Sequence, residues 1–182
     1  MKKKLGLAAL ALLLMAAANV HTVCRVSVAG QPVEGLYSPA VLETSRALAL
    51  RTAEELLPGE EALPSWQVRR SLSFFPAGGD GAVLTDALLR ATEGVAVRQE
   101  VYVNGLYMGH VEDGEALDTA LRHYLYASRP AGAIQARYTG EISMHGVYTR
   151  AGRDMTLDDM LLLVTGSCPV LYTDGEGRMV LG

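Results

Sequence analysis

The sequence predicts an α+β fold, built as a tandem duplication of a small β-hairpin, helix, strand and helix unit with mainly antiparallel sheets. Three repeated features support this prediction. The pattern V-x-V-x-G occurs at Val26–Gly30 and again at Val101–Gly105, an offset of 75 residues. Each occurrence precedes a segment with apolar residues at helical spacing. Each copy then ends in a similar apolar segment, Leu84–Gly94 in the first and Leu157–Gly166 in the second.

The N-terminal segment has the features of an export signal, since a basic region at Lys2–Lys4 precedes an apolar run from Leu5 to Ala18. The run is shorter than the roughly 20 residues that span a bilayer, which favours cleavage over anchoring. Ala16 and Ala18 supply an A-x-A cleavage pattern. Residues 1–18 are therefore predicted to be a signal peptide, with an uncleaved N-terminal anchor as the alternative. We expect this segment to engage the membrane during export to an extracellular or cell-envelope location.

The two cysteines, Cys24 and Cys168, leave the redox state open. In an oxidising compartment they could form a disulfide, and two free, half-buried thiols fit the sequence equally well. Lipidation at Cys24 is disfavoured, because His21 occupies a position where lipoprotein signals carry an apolar residue. Neither cysteine lies beside a histidine in the pattern of an activated nucleophile.

Length and charge narrow the classes of function. A chain of 182 residues with 49% hydrophobic residues can fill one ordinary domain or two small ones. Without the three lysines of the N-terminal segment, the formal net charge falls from −4 to −7. A surface of that sign repels phosphate backbones, so no nucleic-acid partner is expected. Binding to anionic lipid or wall polymers would need a shaped site.

The first copy is predicted to occupy residues 19–96. Gln31–Pro32 is a poor turn, so its hairpin is expected to be less regular than that of the second copy. A helix follows and stops at Pro58–Gly59. A half-buried strand is predicted over Ser71–Phe75, before the closing helix. The predicted core-facing residues of the first helix are Val41, Leu48, Ala49, Ala53 and Leu56.

The second copy is predicted to occupy residues 97–182. Asn104–Gly105 is a strong signal for a tight hairpin turn, because both residues tolerate positive φ. The strand over Glu141–His145 is expected to continue an alternation that starts at Ile134. The strand over Gln99–Val103 ends the first copy and begins the second, so the two copies are predicted to share it. Because neither sheet would be complete without this strand, the copies are expected to unfold together. A helix follows and is predicted to end before Arg129–Pro130. Its core-facing residues are predicted to be Leu117, Leu121 and Leu125, with Ala120 and Tyr124 beside them.

The closing helices align at an offset of 73, which places Leu88 and Leu161 at matching core positions. Thr156 is the predicted N-cap of the second of these helices, and Asp158 is read as a charge that favours its dipole. Both segments end at a glycine suited to a helix C-cap.

The order V-x-V-x-G, G-x-V-x-D, helix, strand and L-[ED]-[ED]-x-x-x-L-L-T resembles a known family region. It is similar to the tandem N-terminal extracellular repeats that precede LysM and catalytic domains in clostridial murein metalloendopeptidases of the lysostaphin type. The resemblance covers residues 25–173. It implies that the chain consists of peptidase-associated repeats and that it acts at the bacterial cell wall.

No constellation of reactive residues is visible, so the sequence predicts no catalytic, cofactor-binding or metal-binding residue and no cofactor. A lysostaphin-type zinc site needs H-x-x-x-D and H-x-H, and the chain contains neither. The adjacent acids Glu54–Glu55, Glu60–Glu61 and Asp158–Asp159 point in different directions on a helix and are not an acid–base pair. The glycine-rich segments Ala77–Gly81 and Asp174–Arg178 are read as a flexible connection and a last turn. The histidines, read as isolated, are His21, His110, His123 and His145.

Three hypotheses about function remain. The first is an exported, non-catalytic module at the bacterial cell envelope that positions or binds a partner, either an envelope protein or peptidoglycan. The second is the non-catalytic N-terminal part of a murein metalloendopeptidase with its LysM and peptidase domains outside this chain. The third is a small secreted inhibitor or ligand carrier. Under all three the chain itself is predicted not to be an enzyme.

Overall fold

The fold is α+β, as the sequence predicts. The computed structural model describes residues 20–59, 63–127, 129–152 and 154–181. The predicted signal peptide, residues 1–18, and the pair Glu60–Glu61 lie outside the described residues. Within the described ranges the elements are β1 (His21–Val28), β2 (Gln31–Tyr37), α1 (Pro39–Leu56), β3 (Trp66–Ser73), α2 (Gly81–Arg90), β4 (Val95–Val103), β5 (Leu106–Val111), α3 (Gly114–Ala127), β6 (Ala133–Tyr138), β7 (Ile142–Arg150), α4 (Leu157–Ser167), β8 (Val170–Asp174) and β9 (Met179–Leu181).

The chain divides into two compact units, Met1–Val95 and Ala96–Gly182. The first unit holds one antiparallel sheet in the order β2-β1-β3. The second unit holds two, in the orders β5-β4-β7 and β6-β8-β9. In both units a hairpin pairs with the strand that precedes the closing helix. The duplication itself stays a prediction.

The expectation of a shared strand is wrong. β4 pairs with β5 and with β7, which both belong to the second unit, whereas β1, β2 and β3 form the sheet of the first unit. The physical reason for expecting joint unfolding is therefore lost.

Both hairpins turn through two residues with positive φ. These are Ala29 (49°) and Gly30 (82°) in the first unit, and Asn104 (51°) and Gly105 (78°) in the second. Such turns match the right-handed twist of paired strands. The prediction of a turn at Gln31–Pro32 is wrong, because Gln31 already pairs with Val28 within the sheet.

Helix α1 packs on α2 through small side chains. Ser38 caps α1 by accepting a hydrogen bond from the Val41 N–H at 3.2 Å. The Ser45 hydroxyl donates to the Gly81 carbonyl at 3.0 Å, which joins the two helices. Leu48, a predicted core residue, is 53% exposed. The buried residues of α1 are Leu42, Ser45, Ala49 and Ala53, so the predicted stripe is wrong at Leu48 and right at Ala49 and Ala53.

Two strand predictions need correction. Phe74 and Phe75 lie after the end of β3 and are exposed, so the strand does not run to Phe75. In the second unit, the alternating segment that starts at Ile134 is two strands in different sheets, β6 and β7. A backbone hydrogen bond from Thr139 N–H to the Pro169 carbonyl at 2.9 Å lies at the break between them.

The core of the second unit lies between the β5-β4-β7 sheet and the helices α3 and α4. Leu117 and Leu121 are buried as predicted, while Leu125 is partly buried against the third sheet. On α4 the predicted core residue Leu161 is only partly buried, and Leu162 is 74% exposed. The fully buried residues of the core of the second unit include Val101, Leu117, Met160, Val164 and Cys168.

The N-caps of the two closing helices show why these helices do not align at the predicted offset of 73 residues. Asp80 caps α2 and Thr156 caps α4, so the two helix starts are 76 residues apart. That register matches the buried Leu84 with Met160 and the buried Leu88 with Val164. The predicted equivalence of Leu88 and Leu161 is therefore wrong, and the predicted N-cap at Thr156 is confirmed.

The glycine-rich segment before α2 is packed, contrary to the interpretation as a flexible connection. The Gly79 N–H donates to the Leu36 carbonyl at 2.8 Å. A Cβ at Gly79 would lie 2.6 Å from Cδ1 of the buried Tyr37 ring, so only glycine fits there. The other glycine-rich segment forms the β8–β9 connection, where Asp174 accepts from the N–H groups of Glu176 and Arg178 at 2.9 Å each.

Within the described ranges, no helix combines the length and apolar character needed to cross a membrane.

Candidate functional site

The β5-β4-β7 sheet has one face toward the core and one polar face, which we call the outer face. Along β4, Val101 and Val103 are buried, while Glu100 and Tyr102 alternate with them. Pairing places Tyr102 opposite Tyr107 and Glu100 opposite His110. Side chains of directly opposed residues lie on the same face of a sheet. The outer face therefore collects Arg98, Glu100, Tyr102, Tyr107, His110 and His145.

Aromatic rings occupy the centre of the outer face. The Tyr102 ring lies 5.6 Å from the Tyr107 ring and 5.7 Å from the His145 ring, between centroids. The Tyr102 hydroxyl donates to Glu100 Oε2 at 2.9 Å, and this hydrogen bond raises the pKa of the Tyr102 phenol. Tyr107 is 50% exposed. Tyrosines of this kind offer apolar area and a hydroxyl to a ligand with little conformational entropy to lose.

Beside the aromatic rings lies a charged cluster. Arg98 Nη2 is 2.6 Å from Asp154 Oδ2, and the two side chains are only 14% and 18% exposed. His110 Nε2 lies 3.6 Å from Asp154 Oδ1, and His110 Nδ1 lies 3.4 Å from the Tyr107 hydroxyl. Asp154 thus connects the cluster to the aromatic rings through His110.

Arg98 is the most constrained member of this cluster. The hydrogen bond with Asp154 raises the pKa of the Arg98 guanidinium, against an opposing effect of burial. Its Nη1 donates to the Val97 carbonyl at 3.0 Å. Its Nε is buried and has no hydrogen-bond partner within the described part of the chain. A buried donor in this state costs free energy, about 1–3 kcal/mol.

A cavity of about 460 Å³ adjoins the charged cluster. Asp154 belongs to both, and the walls of the cavity come from the end of β5, the start of α3 and the residues before α4. A second cleft of about 650 Å³ runs along α3 and shares Asp113 and Ala116 with the first. Only the first of these cavities reaches the charged cluster, through Asp154, while the second lies on the helix side of the sheet.

The four histidines have different positions. His110 and His145 lie on the outer face, on either side of Tyr102, which their spacing in the sequence did not indicate. His123 lines the cleft along α3, and His21 begins β1 in the first unit. No group of three or more histidine, cysteine or acidic side chains is placed to hold a metal ion in the described ranges.

Several other residues considered from the sequence have structural partners. At the start of α4, Asp159 Oδ2 accepts a hydrogen bond from the Thr156 hydroxyl, and the Asp159 N–H donates one to that hydroxyl oxygen. Glu55 forms an ion pair with Arg51 at 3.0 Å. Cys24 and Cys168 are free and buried. Cys168 Sγ accepts a hydrogen bond from the Gly140 N–H at 3.0 Å. Asp113 caps α3 by accepting from the Ala116 N–H, and the acid that lies beside His110 is Asp154.

Sequence reasoning missed the residues that make up the outer face, above all Arg98, Tyr102, Tyr107 and Asp154. The sequence of β4 did contain a signal, because its charged and aromatic residues alternate with valines and so share one face of the strand. These residues are Arg98, Glu100 and Tyr102, and the valines are Val101 and Val103. Asp154 had no such signal, since it lies between β7 and α4 in an irregular segment.

Comparison with protein-family models, with curated proteins and with solved structures finds no match to this chain. The similarity to the repeats of murein metalloendopeptidases therefore stays a prediction from the sequence.

Proposed function

We propose that the protein is an exported, non-catalytic binding module of the bacterial cell envelope, and that the outer face of the second unit is its recognition surface. The observation that carries this proposal is that the Tyr102, Tyr107 and His145 rings lie in tilted and edge-on contact on one sheet face, beside the Arg98–Asp154 pair. Aromatic residues and arginine are enriched at binding surfaces and dominate their energetics.

The chemistry of the outer face favours a polar polymer over a small apolar ligand. Its Tyr107 ring is half exposed, and the face brings hydroxyl and imidazole groups beside the Arg98 guanidinium. Such groups suit ligands with amide, hydroxyl and carboxylate groups. Peptidoglycan carries all three, and the predicted export signal would deliver the chain to that material. We therefore take peptidoglycan as the first ligand to test.

The test is co-sedimentation of the full chain with purified peptidoglycan. Tyr107→Ala is expected to weaken binding roughly tenfold, as a truncated anchor of about 1.4 kcal/mol would. The matched control is Tyr126→Ala, since Tyr126 is 64% exposed on α3 of the same unit and lies outside the outer face. Equal retention of both variants, or no binding by the unaltered chain, would contradict the proposal. Lysis of the peptidoglycan that a chelator abolishes would contradict the non-catalytic role.

A further inference from the structure

The first unit carries an exposed apolar tip formed by Leu72, Phe74 and Phe75. Their exposed fractions are 76%, 69% and 79%. The Phe75 N–H donates to the Ser73 hydroxyl at 3.0 Å, which fixes the backbone that presents the two rings. Three large, exposed apolar side chains that lie close together in the chain mark an interaction surface.

The tip lies at the end of the sheet where the chain enters β1. Thr22 pairs with Leu72, and His21 pairs with Ser73. Only residues 19 and 20 separate the apolar run that ends at Ala18 from the start of β1 at His21. Three residue steps span at most about 10 Å. If the segment is kept as the uncleaved anchor, the bilayer that holds it lies within reach of the tip; if it is cleaved, the tip must bind the bilayer without this tether.

The strands behind the tip carry positive charge only. β1 and β3 contain Arg25, Arg69 and Arg70 and no acidic residue. Arg25 lies directly opposite Arg69 across the two strands, an arrangement of like charges that destabilises a sheet. None of the ion pairs among the described residues includes these three arginines. An anion from outside the chain would relieve their repulsion.

The spacing of these groups matches the layers of a lipid surface. Arg70 is two residues from Leu72 and Arg69 is three, about 7 and 10 Å along a strand. Surface-bound helices bury their apolar faces about 5–10 Å into the boundary between headgroups and acyl chains. With the tip at that depth, the arginines lie at the level of the phosphates. The net negative charge of the chain opposes approach to an anionic surface, but salt screens charges that lie more than about 10 Å from the contact.

We propose that the tip inserts into the interface of an anionic lipid bilayer, with Arg25, Arg69 and Arg70 against the headgroup phosphates. This would hold the first unit on the membrane surface. The proposal concerns the first unit alone and does not depend on ligand binding by the outer face, so either can fail without the other.

The test uses the depth of single tryptophans in the full chain, bound to vesicles that contain lipids brominated on their acyl chains. Trp66 is the only tryptophan and lies at the opposite end of β3, seven residues from Ser73 or about 23 Å. It is a built-in control. The probe is Phe75→Trp in a Trp66→Phe background. We expect strong quenching and a blue-shifted emission for the probe on phosphatidylglycerol vesicles, and neither for Trp66 in the unaltered chain.

A second pair of variants tests the charges. Arg25→Gln and Arg69→Gln are each made in the probe background. Each is expected to lower the ratio of inserted to free tip about fivefold, the factor that corresponds to about 1 kcal/mol per arginine. Circular dichroism verifies that each variant folds. The proposal is overturned if the probe is quenched no more than Trp66, as a protein-binding tip would give. Equal quenching on phosphatidylcholine and phosphatidylglycerol vesicles overturns the role of the arginines.

Discussion

The packing of α4 gives a prediction about which residues of this helix face the core. The structure and the sequence alignment of the two closing helices differ on this point. Met160 is fully buried in the core of the second unit, whereas Leu161 is partly buried and Leu162 is 74% exposed. The sequence alignment instead placed Leu161 in the core. Truncation of each residue to alanine measures which face of the helix is inside.

The cost of Met160→Ala can be estimated from its surroundings. Complete burial of a methionine side chain contributes about 1.5–3 kcal/mol, and the cavity left behind adds to this. Met160 packs against the backbone of β5, where a Cβ at Gly109 would lie 3.2 Å from the Met160 methyl group. A paired strand cannot collapse into the space, so we expect about 3–5 kcal/mol. Leu161→Ala should cost about 1 kcal/mol, and Leu162→Ala less than about 0.5 kcal/mol.

The assay is urea and thermal unfolding of the full chain and the three variants. For a unit of this size, about 3 kcal/mol lowers the transition temperature by at least about 12 °C. Amide exchange in β4 and β5 locates the loss of stability in the second unit. If Leu161→Ala costs as much as Met160→Ala, the reasoning from burial is refuted and the alignment at offset 73 is correct.

Three further predictions concern the backbone and one phenol. Gly79→Ala should destabilise the first unit by about 1–3 kcal/mol in denaturant unfolding, because its Cβ would overlap the Tyr37 ring, while Gly78→Ala, with open space around it, should change little. Ala29→Gly should stabilise the same unit by up to about 1 kcal/mol, since Ala29 has a φ of 49°, and a lower transition temperature would contradict this. Burial raises the pKa of Tyr138 to about 12, so its contribution to stability is complete below about pH 10 and is lost as the pH rises toward 12. Tyr138→Phe should remove that part of the alkaline loss, as followed by phenolate absorbance and unfolding.

The sequence was most informative where one local rule decided the structure. Asn104–Gly105 forms the predicted turn, Thr156 caps α4, and Leu117 and Leu121 are buried at helical spacing. Each of these outcomes depends on a few neighbouring residues. The α+β class followed from their order along the chain.

The errors arose where distant contacts decide. The alternation from Ile134 to His145 is continuous in the sequence, yet the chain changes sheets after Tyr138, and no local pattern shows which strand is the partner. Leu48 fits the helical period, but the small residues Ser45 and Ala49 are the buried ones, and Ser45 is hydrogen-bonded to α2. The outer face was missed for the same reason, since only pairing brings His110, His145 and Tyr102 together.

The two buried thiols give each unit an internal reporter of its own opening. Cys24 belongs to the first unit and Cys168 to the second, and both side chains have no exposed surface. A thiol reagent can reach either sulfur only when the surrounding unit opens, because a buried thiol is inert. Mass spectrometry of the two cysteine peptides after brief labelling would then give two opening rates from one unaltered chain. The units can be followed separately without an added probe.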